Sequence, residues 1–389
     1  MNHIWSNILL NKEWLFSGIG VVVLSLIGRL IFKRKQATNT KITPHGSGNN
    51  YAAETINIHN SNALSMSDVK ELAMSVFKEN FPKLQEIARI EAERNRDLFI
   101  NELDDKIHEK LNLEEINRFN KPDVQFALKD AIISASRKNN GECHTILSNL
   151  IIDRVKNDGV EFKEIVYNEA IGTIPRLTKN HLDILAFTFI TKYALFKQVS
   201  DWTIFDKRLR AFICPVLNFS NSPAQFQHLE YSDCANMSSF GTTTIESKFL
   251  SSYSNLFFKE EKPFIDKKTF EKLKIPISMA KYFFQENQEN EKYYFIHHTT
   301  NDIHLEIDRI RKEGGTISDF TSYFSSKIKS GVEANADLKN KLEYGNTLLS
   351  KFNDTDVNRL TLTSVGIVLG ASHIETYTGE KLNIDIWIN

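Results

Sequence analysis

Hydrophobic residues form one long uninterrupted segment near the start of the chain, from Trp14 to Phe32. This segment contains one charged residue, Arg29, close to its end. A helix of this length and apolarity is long enough to cross the hydrocarbon core of a membrane. A cleaved signal peptide is the alternative, but the segment lacks a basic region before it and a small-x-small cleavage site after it. The pattern therefore predicts a retained transmembrane helix over residues 14–33.

Charges on either side of this segment predict its orientation. A run of three basic residues follows the segment directly, whereas only Lys12 precedes it. Because short flanks rich in Lys and Arg stay in the cytoplasm, the bulk of the chain is expected there, beside the inner membrane. Aromatic residues suit the opposite interface, and small residues allow helices to approach closely. The predicted anchor residues are Trp14, Phe16, Gly18, Gly28, Arg29, Phe32, Lys33, Arg34 and Lys35.

Polar residues dominate the next stretch, 34–64, which predicts a linker. Within it, residues 54–59 alternate between polar and apolar side chains, which indicates a short strand. One strand does not stand alone, so it pairs either with a later segment or between copies of the chain. The alternative is that it is simply part of the linker.

A helical pattern of highly charged character occupies residues 65–120. Pro82 is expected to break or kink it. The stretch Ala88 to Asp97 is polar nearly all round, so part of the helix is expected to face water or a partner helix. Four apolar residues then repeat at every fourth position: Phe99, Leu103, Ile107 and Leu111.

Short turns separate further helical patterns in residues 121–200, which predicts a helical bundle or a solenoid-like array. Asp183 and Lys192 interrupt the apolar run of the last helix, so this helix is predicted to be buried and not to span a membrane. The predicted helices are Pro122 to Arg137, Thr145 to Lys156, Phe162 to Ile171 and Thr178 to Val199.

Residues 201–354 have a mixed pattern and predict a mainly helical domain. Its predicted elements are helices at 266–273, 277–286, 302–312 and 316–352 and a strand at 293–297. The end of the chain, 355–389, is different in pattern. A strand at 359–363, a helix at 365–373 packed closely through Gly366 and Gly370, and a closing strand at 381–388 predict a small winged-like α+β module.

These patterns together predict a mainly α fold with an N-terminal transmembrane helix, a long charged helix, a helical middle and a small α+β C-terminal module. The predicted divisions of the chain are 1–13, 14–33, 34–64, 65–120, 121–200, 201–354 and 355–389.

Composition indicates a folded core and argues against a dedicated nucleic-acid-binding protein and a disulfide-rich protein. Hydrophobic residues make up 41% of the 389 residues and charged residues 25%, with a formal net charge of −1. A chain without a basic excess shows no strong signal for nucleic-acid binding. The cysteines, Cys143, Cys214 and Cys234, are few and far apart, which indicates a reducing compartment and no disulfide framework.

The densest group of polar side chains with metal-binding chemistry lies between residues 293 and 306. Its metal-ligand candidates are His297, His298, Asp302 and His304. Adjacent histidines on a strand point to opposite faces, so both cannot easily bind one ion. The competing interpretation is a strand-to-helix turn in which Asp302 caps the next helix.

Catalytic and cofactor motifs are lacking elsewhere in the sequence. Cys143 and His144 are adjacent, so on a helix they do not face each other. The Gly-rich stretch near residue 47 lacks the Lys and Ser/Thr of a phosphate-binding loop. The basic stretch Lys207 to Arg210 is short enough to be an ordinary solvated helix face. We therefore assign no catalytic residue and expect no cofactor.

Four pieces of the sequence together carry a resemblance. They are EWLFSGIG, the Gly/Asn-containing linker with INI, SDVKELAMSVFKENFPKL, and LTLTSVGIVLGASHIETYTGEKLNIDIWIN. The chain resembles a family of uncharacterised bacterial proteins that have one N-terminal membrane helix and a mainly helical cytoplasmic region. The resemblance covers most of the chain and implies this architecture, but it brings no functional residues.

The sequence favours a membrane-anchored oligomeric binding or sensor protein, with the bilayer, further copies of itself and an unidentified protein as partners. Anchored sensors of similar layout occur in bacterial defence and stress systems, and a comparable role is the expectation by analogy. Two alternatives stay open. One is a toxic membrane effector of an abortive-infection system, and the other is an enzyme with a site assembled around His297 to His304.

Overall fold

The structure is a computed structural model. It describes residues 66–138, 141–239, 243–260, 264–273, 284–287, 292–295, 308, 312 and 318–388.

The described chain begins with a long helix, α1 (Met66–Lys110). Its second half is part of the hydrophobic core, because Phe99, Leu103 and Ile107 are at most 2% exposed. This confirms the spacing of four predicted from the sequence. The expected break at Pro82 is wrong, since the helix continues through that residue. Proline removes one backbone hydrogen bond, and in α1 this occurs where the surrounding side chains are exposed.

A layer of shorter helices packs against the second half of α1. α1 contacts α3 and α4, and each of α3, α4 and α5 contacts the other two. Their cores are formed by small and branched apolar residues such as Ala131 and Ile146, both fully buried. The helices are α2 (Leu113–Asn117), α3 (Pro122–Arg137), α4 (Gly141–Lys156), α5 (Glu161–Thr173) and α6 (Lys179–Lys192).

The predicted helix from Thr178 to Val199 is shorter in the structure. α6 begins after the cap Thr178, whose hydroxyl accepts a hydrogen bond from the His181 amide. It ends at Lys192, and the chain then turns through Gln198, which has a φ of 56°. The aromatic residues beyond Lys192 continue the apolar pattern, but they pack from a loop and not from the helix.

The second half of the chain adds further helices and two small sheets. β1 pairs with β5, and β4 lies between β2 and β3, with every pairing antiparallel. Part of the helix predicted at 277–286 is instead strand β3. The elements are α7 (Trp202–Ile213), α8 (Pro223–Tyr231), β1 (Ala235–Met237), α9 (Ile245–Ser252), β2 (Phe264–Asp266), α10 (Lys267–Lys272), β3 (Phe284–Asn287), β4 (Lys292–Phe295), α11 (Ser318–Lys327), α12 (Gly331–Lys341), α13 (Gly345–Asn353), β5 (Leu360–Leu362), α14 (Ser364–Thr378) and α15 (Asp385–Ile388).

The centre of the core is α14, in which residues 365–374 are all buried. It packs against α6, α5 and α4, three helices from the first half of the chain. Two glycines permit this packing. A Cβ at Gly370 would lie 2.9 Å from the Leu185 carbonyl oxygen, and one at Gly366 would lie 1.9 Å from that of Cys234. The prediction of a helix packed closely through these two glycines is confirmed.

The predicted winged-like C-terminal module is wrong. The strand expected at 359–363 is present as β5, but its partner is β1, more than a hundred residues earlier. The strand expected at 381–388 is absent from the described residues, where the chain instead forms the helical turn α15. Strict alternation predicts a strand only if a neighbouring strand is free to pair. Here the segment is held by side chains, because Lys381 pairs with Asp153 and Asp385 pairs with Lys163.

The predicted fold class is also corrected at its N-terminal end. No helix in the described part of the chain has the length and apolarity needed to cross a membrane. The membrane-spanning helix of the predicted fold class is therefore not part of the described fold, which is mainly helical with small sheets. Residues 14–33, to which it was assigned, and the predicted strand at 54–59 lie outside the described residues.

Candidate functional site

A cavity of about 350 Å³ lies where the end of α6 meets α9, α13 and the β1–β5 pair. This volume falls within the range of small-molecule sites, roughly 300–1,000 Å³. Three of the residues around the cavity are basic, and the other six carry hydroxyl, amide or aromatic groups. The lining residues are Lys192, Tyr193, Ser238, Thr243, Lys248, Phe352, Asn358, Arg359 and Thr361.

Lys192 reaches the cavity from the last position of α6. Its ammonium donates hydrogen bonds to the carbonyl oxygens of Asn358, at 2.9 Å, and Leu360, at 2.7 Å. The group also lies 5.6 Å from the centroid of the Phe352 ring. Burial, and secondly the nearby charge of Lys248, lower the pKa of Lys192 to about 8. Lys192 thus holds the start of β5 while it contributes positive charge to the cavity.

Lys248 enters the cavity from α9 and is half-buried. Its ammonium donates to the carbonyl oxygen of Lys192. Burial lowers the pKa of Lys248 to about 8. Among the described residues, no carboxylate lies within 4.0 Å of either ammonium group. Removing an ammonium from water is costly unless an opposite charge compensates it, so both lysines favour an anion in the cavity.

Arg359 supplies the third positive charge. Its Nε donates to the Ser238 carbonyl oxygen at 3.1 Å, and its Nη1 lies 3.4 Å from a carboxylate oxygen of Asp356. The Ser238 amide donates in return to the Arg359 carbonyl oxygen at 2.9 Å. These bonds extend the β1–β5 pairing by one residue and fix Arg359 at the cavity edge.

A second polar cluster extends from the core, at His373, to the surface, at Lys179. His373 on α14 is 0% exposed, and its Nε2 lies 2.8 Å from a carboxylate oxygen of Asp183 on α6. Its Nδ1 lies 3.3 Å from Glu142 of α4. Lys179 lies 2.8 Å from Asp183 and 3.6 Å from Glu142. An imidazole between carboxylates can move protons, but here it is enclosed by helices, so its arrangement joins α4, α6 and α14.

The cysteines are poorly suited to act as nucleophiles. Cys143 and Cys234 are buried, and all three thiols are free. Burial raises the pKa of Cys143 to about 11 and that of Cys234 to about 12. A thiol attacks as the thiolate, so these two groups are inert near neutral pH.

The basic stretch predicted as a solvated helix face lies on α7. Arg210 pairs with Glu343 at 2.9 Å and with Asp206 at 3.4 Å. Arg208 donates to the carbonyl oxygen of Lys197. Leu209 is 1% exposed and belongs to the core. Both arginines are thus engaged within the protein.

The first half of α1 forms a surface of a different kind. From Lys70 to Glu91, every side chain that the structure describes is exposed. Leu84, Ile87 and Ile90 are 56%, 63% and 54% exposed. Large apolar side chains exposed together in this way mark interaction sites more often than isolated ones do. We call residues 70–91 of α1 the projecting segment.

The site residues predicted from the sequence are not among the described residues that line the cavity or form the projecting segment. The metal candidates His297, His298, Asp302 and His304 and the predicted anchor residues lie outside the described residues. Within the described residues, no group of three or more His, Cys, Asp or Glu side chains is placed to hold a metal ion.

Sequence reasoning missed the basic cavity. Lys192 and Lys248 are 56 residues apart, and no spacing rule joins them. The one available signal was the charge of Lys192 within the apolar run of its helix. That charge was interpreted as excluding a membrane span, and it also marked a position where a cation meets the interior.

The geometry defines a mainly helical protein with a basic cavity and a projecting helix. A model of an uncharacterised protein family matches residues 63–388, and the chain belongs to that family. The match covers all the described elements. No curated protein and no solved structure matches the chain significantly.

Proposed function

We propose that the protein is an oligomeric binding or sensor protein whose copies associate through the projecting segment. The observation that carries this proposal is the exposure of Leu84, Ile87 and Ile90 along a helix with no described buried side chain between residues 70 and 91.

The low stability of an unpacked helix is a reason to expect a partner for this segment. Isolated helices are marginal in water, and most helices in proteins are stabilised by packing of an apolar face. The projecting segment spans more than 20 residues, or about 30 Å at 1.5 Å per residue. Arg89 pairs with Glu86 at 2.7 Å within the segment and with Glu93 at 2.6 Å just beyond it. Exposed ion pairs of this kind contribute little to stability, much less than burial of the apolar side chains.

A second copy of the chain is the occupant that fits this face. Acidic and basic residues are interspersed along the projecting segment, as in Lys83, Glu86, Arg89 and Glu91. A surface of mixed sign complements its own copy, whereas a strongly charged surface would repel it. Burial of the exposed parts of three large apolar side chains on each copy is the main favourable contribution expected for this association.

The test compares two triple variants of the full chain in a non-ionic detergent by sedimentation velocity. Leu84→Gln, Ile87→Gln and Ile90→Gln together remove the apolar face. The matched control, Leu113→Gln, Phe126→Gln and Val332→Gln, removes three apolar side chains, each at least as exposed, from the body of the protein.

We expect oligomers for the parent chain and the control, and monomers for the first variant. Gln is a good helix former, so far-UV circular dichroism of the first variant should show the helix retained. A monomeric parent chain, or equal association of both variants, would contradict the proposal. The position beside the inner membrane stays a prediction from residues 14–35 and is tested separately by cell fractionation.

A further inference from the structure

We propose that the cavity between Lys192, Lys248 and Arg359 binds a small phosphorylated ligand through its phosphate group. This inference stands on the cavity alone and does not depend on self-association.

The first step is the imbalance of charge. Lys106 and Lys163 are also largely buried, and each has a carboxylate partner, Glu102 at 3.1 Å and Asp385 at 2.5 Å. The two cavity lysines have no such partner among the described residues, and the charge of Lys248 lowers the pKa of Lys192. Like charges held together in a partly buried site destabilise the fold unless an anion joins them.

The second step is the supply of hydrogen-bond donors. An ammonium has three N–H groups. Lys192 uses two of them on backbone carbonyl oxygens, and Lys248 uses one on the carbonyl oxygen of Lys192. Each lysine therefore keeps at least one donor for a ligand. Arg359 uses its Nε and one Nη1 contact within the protein, which leaves its second terminal nitrogen for the same purpose.

The third step is the kind of anion. Two ammonium groups and one guanidinium approach from three different elements, α9, the end of α6, and the turn before β5. A single carboxylate is planar and carries one charge, whereas a phosphate has oxygens in several directions and carries up to two charges. Lysines that act as point charges, with an arginine and hydroxyl groups beside them, suit a phosphate. The exposed residues Thr243 and Thr361 supply hydroxyl groups at the mouth.

The fourth step is the space around the anion. A cavity of about 350 Å³ is larger than one phosphate group. Phe352 and Tyr193 form aromatic parts of its wall. The ligand is therefore expected to carry an organic portion, and a nucleoside diphosphate is one source of such a phosphate and pyrophosphate is another.

The experiment measures binding of pyrophosphate, inorganic phosphate and ADP to the full chain by isothermal titration calorimetry, with sodium chloride at matched ionic strength as the control. We expect pyrophosphate and ADP to bind in competition with each other. Stronger binding of ADP assigns the site to a nucleotide, and equal binding assigns it to the phosphate groups alone.

Variants of one residue then locate the site. Lys248→Met keeps an unbranched side chain, one atom shorter, and removes its charge, and we expect affinity to fall at least tenfold. Lys248→Arg keeps the charge and should retain binding. Lys207→Met removes an exposed lysine from the basic stretch on α7 and should leave affinity unchanged.

Two results would overturn the inference. One is binding of all three probes no stronger than that of chloride. The other is equal binding by the parent chain and Lys248→Met, with circular dichroism showing both folded. A monomeric protein that still binds pyrophosphate would refute the proposed self-association and leave the cavity site standing.

Discussion

Gly366 of α14 lies so close to the carbonyl oxygen of Cys234 that a Cβ at position 366 would be 1.9 Å from it. The approach joins the central helix to the residue that precedes β1, and Thr363 reinforces it by donating its amide to the same carbonyl oxygen at 3.1 Å. A helix from the end of the chain is thereby locked against a strand from its middle.

Gly366→Ala is expected to destabilise the fold strongly. Overpacking a core usually costs about 1–3 kcal/mol, and here the added atom meets backbone, which cannot rotate away. Gly370→Ala is expected to cost less, because its Cβ would lie 2.9 Å from the Leu185 carbonyl oxygen. Urea unfolding followed by circular dichroism measures both free energies.

Gly172→Ala is the matched control, because a Cβ there would have nothing within 4 Å. In the helical α5 it should stabilise the protein by about 0.5–1 kcal/mol. If Gly366→Ala were as stable as Gly172→Ala, the close packing of α14 would be refuted.

Local patterns predicted the helices well where each helix contains its own signal. The limits of α3 follow from Pro122 and from the turn after Arg137, and the glycines of α14 indicated close packing. Pairing is different, because it depends on distant residues. Nothing in residues 359–363 points to β1, and nothing in the alternation of 381–388 reveals that Lys381 would instead meet Asp153.

The polar clusters could be located only in part from the sequence. Asp183 and Lys192 stood out as charges inside an apolar helix, and the structure gives each a role in a cluster. Asp183 meets His373, 190 residues away, and Lys192 meets the carbonyl oxygens before and within β5. A buried charge signals a partner, but the identity of that partner depends on the tertiary fold.

The contact between His373 and Asp183 should be measurable as a coupling free energy. His373→Leu removes the imidazole contact of Asp183 but leaves its ion pair with Lys179, so we expect a loss of about 0.5–1.5 kcal/mol, the range of one hydrogen bond. Asp183→Leu should cost a similar amount. Unfolding of both single variants and of the double variant forms a cycle, and we expect the coupling to fall within about 0.5–3 kcal/mol. Strict additivity would show that the two residues do not interact.

Lys381→Met tests how the end of the chain is held. Asp153 is buried, which raises its pKa above the ordinary value, while Lys381 acts in the opposite direction. Removing Lys381 should raise that pKa further. The cost should lie below the about 3–5 kcal/mol of a fully buried pair, because about half of the Lys381 side chain is in solvent.

The loss in Lys381→Met should depend on pH with a defined sign. A carboxyl whose pKa in the folded state is raised favours the fold while it is protonated, and that contribution is lost as pH rises through its folded pKa. The difference in unfolding free energy between parent and variant should therefore be larger at about pH 7 than at about pH 4. An equal difference at about pH 4 and about pH 7 would show that Lys381 does not influence the ionisation of Asp153.

The two cavity lysines should make stability rise with pH. Their pKa is about 8 in the folded protein and 10.5 as the ordinary value, so between these values the unfolded chain binds more protons. The free energy of unfolding then increases as pH rises through this window. Lys248→Met removes one of these groups, so the increase between about pH 7.5 and pH 9.5 should be smaller in this variant. Lys207→Met provides the comparison and should retain the full increase.

Anion binding in the cavity should show the reverse dependence on pH. Lys192 and Lys248 lose their charges above about pH 8, because the pKa of each is lowered to about 8. Sulfate is the suitable probe, because its own charge does not change over this range. Its affinity for the full chain should fall as pH rises from about 7 to 9.5, and calorimetry at several values measures that fall. In Lys248→Met the affinity should be low throughout and should change less. Constant affinity in the parent chain would show that the two ammonium groups do not contact the anion.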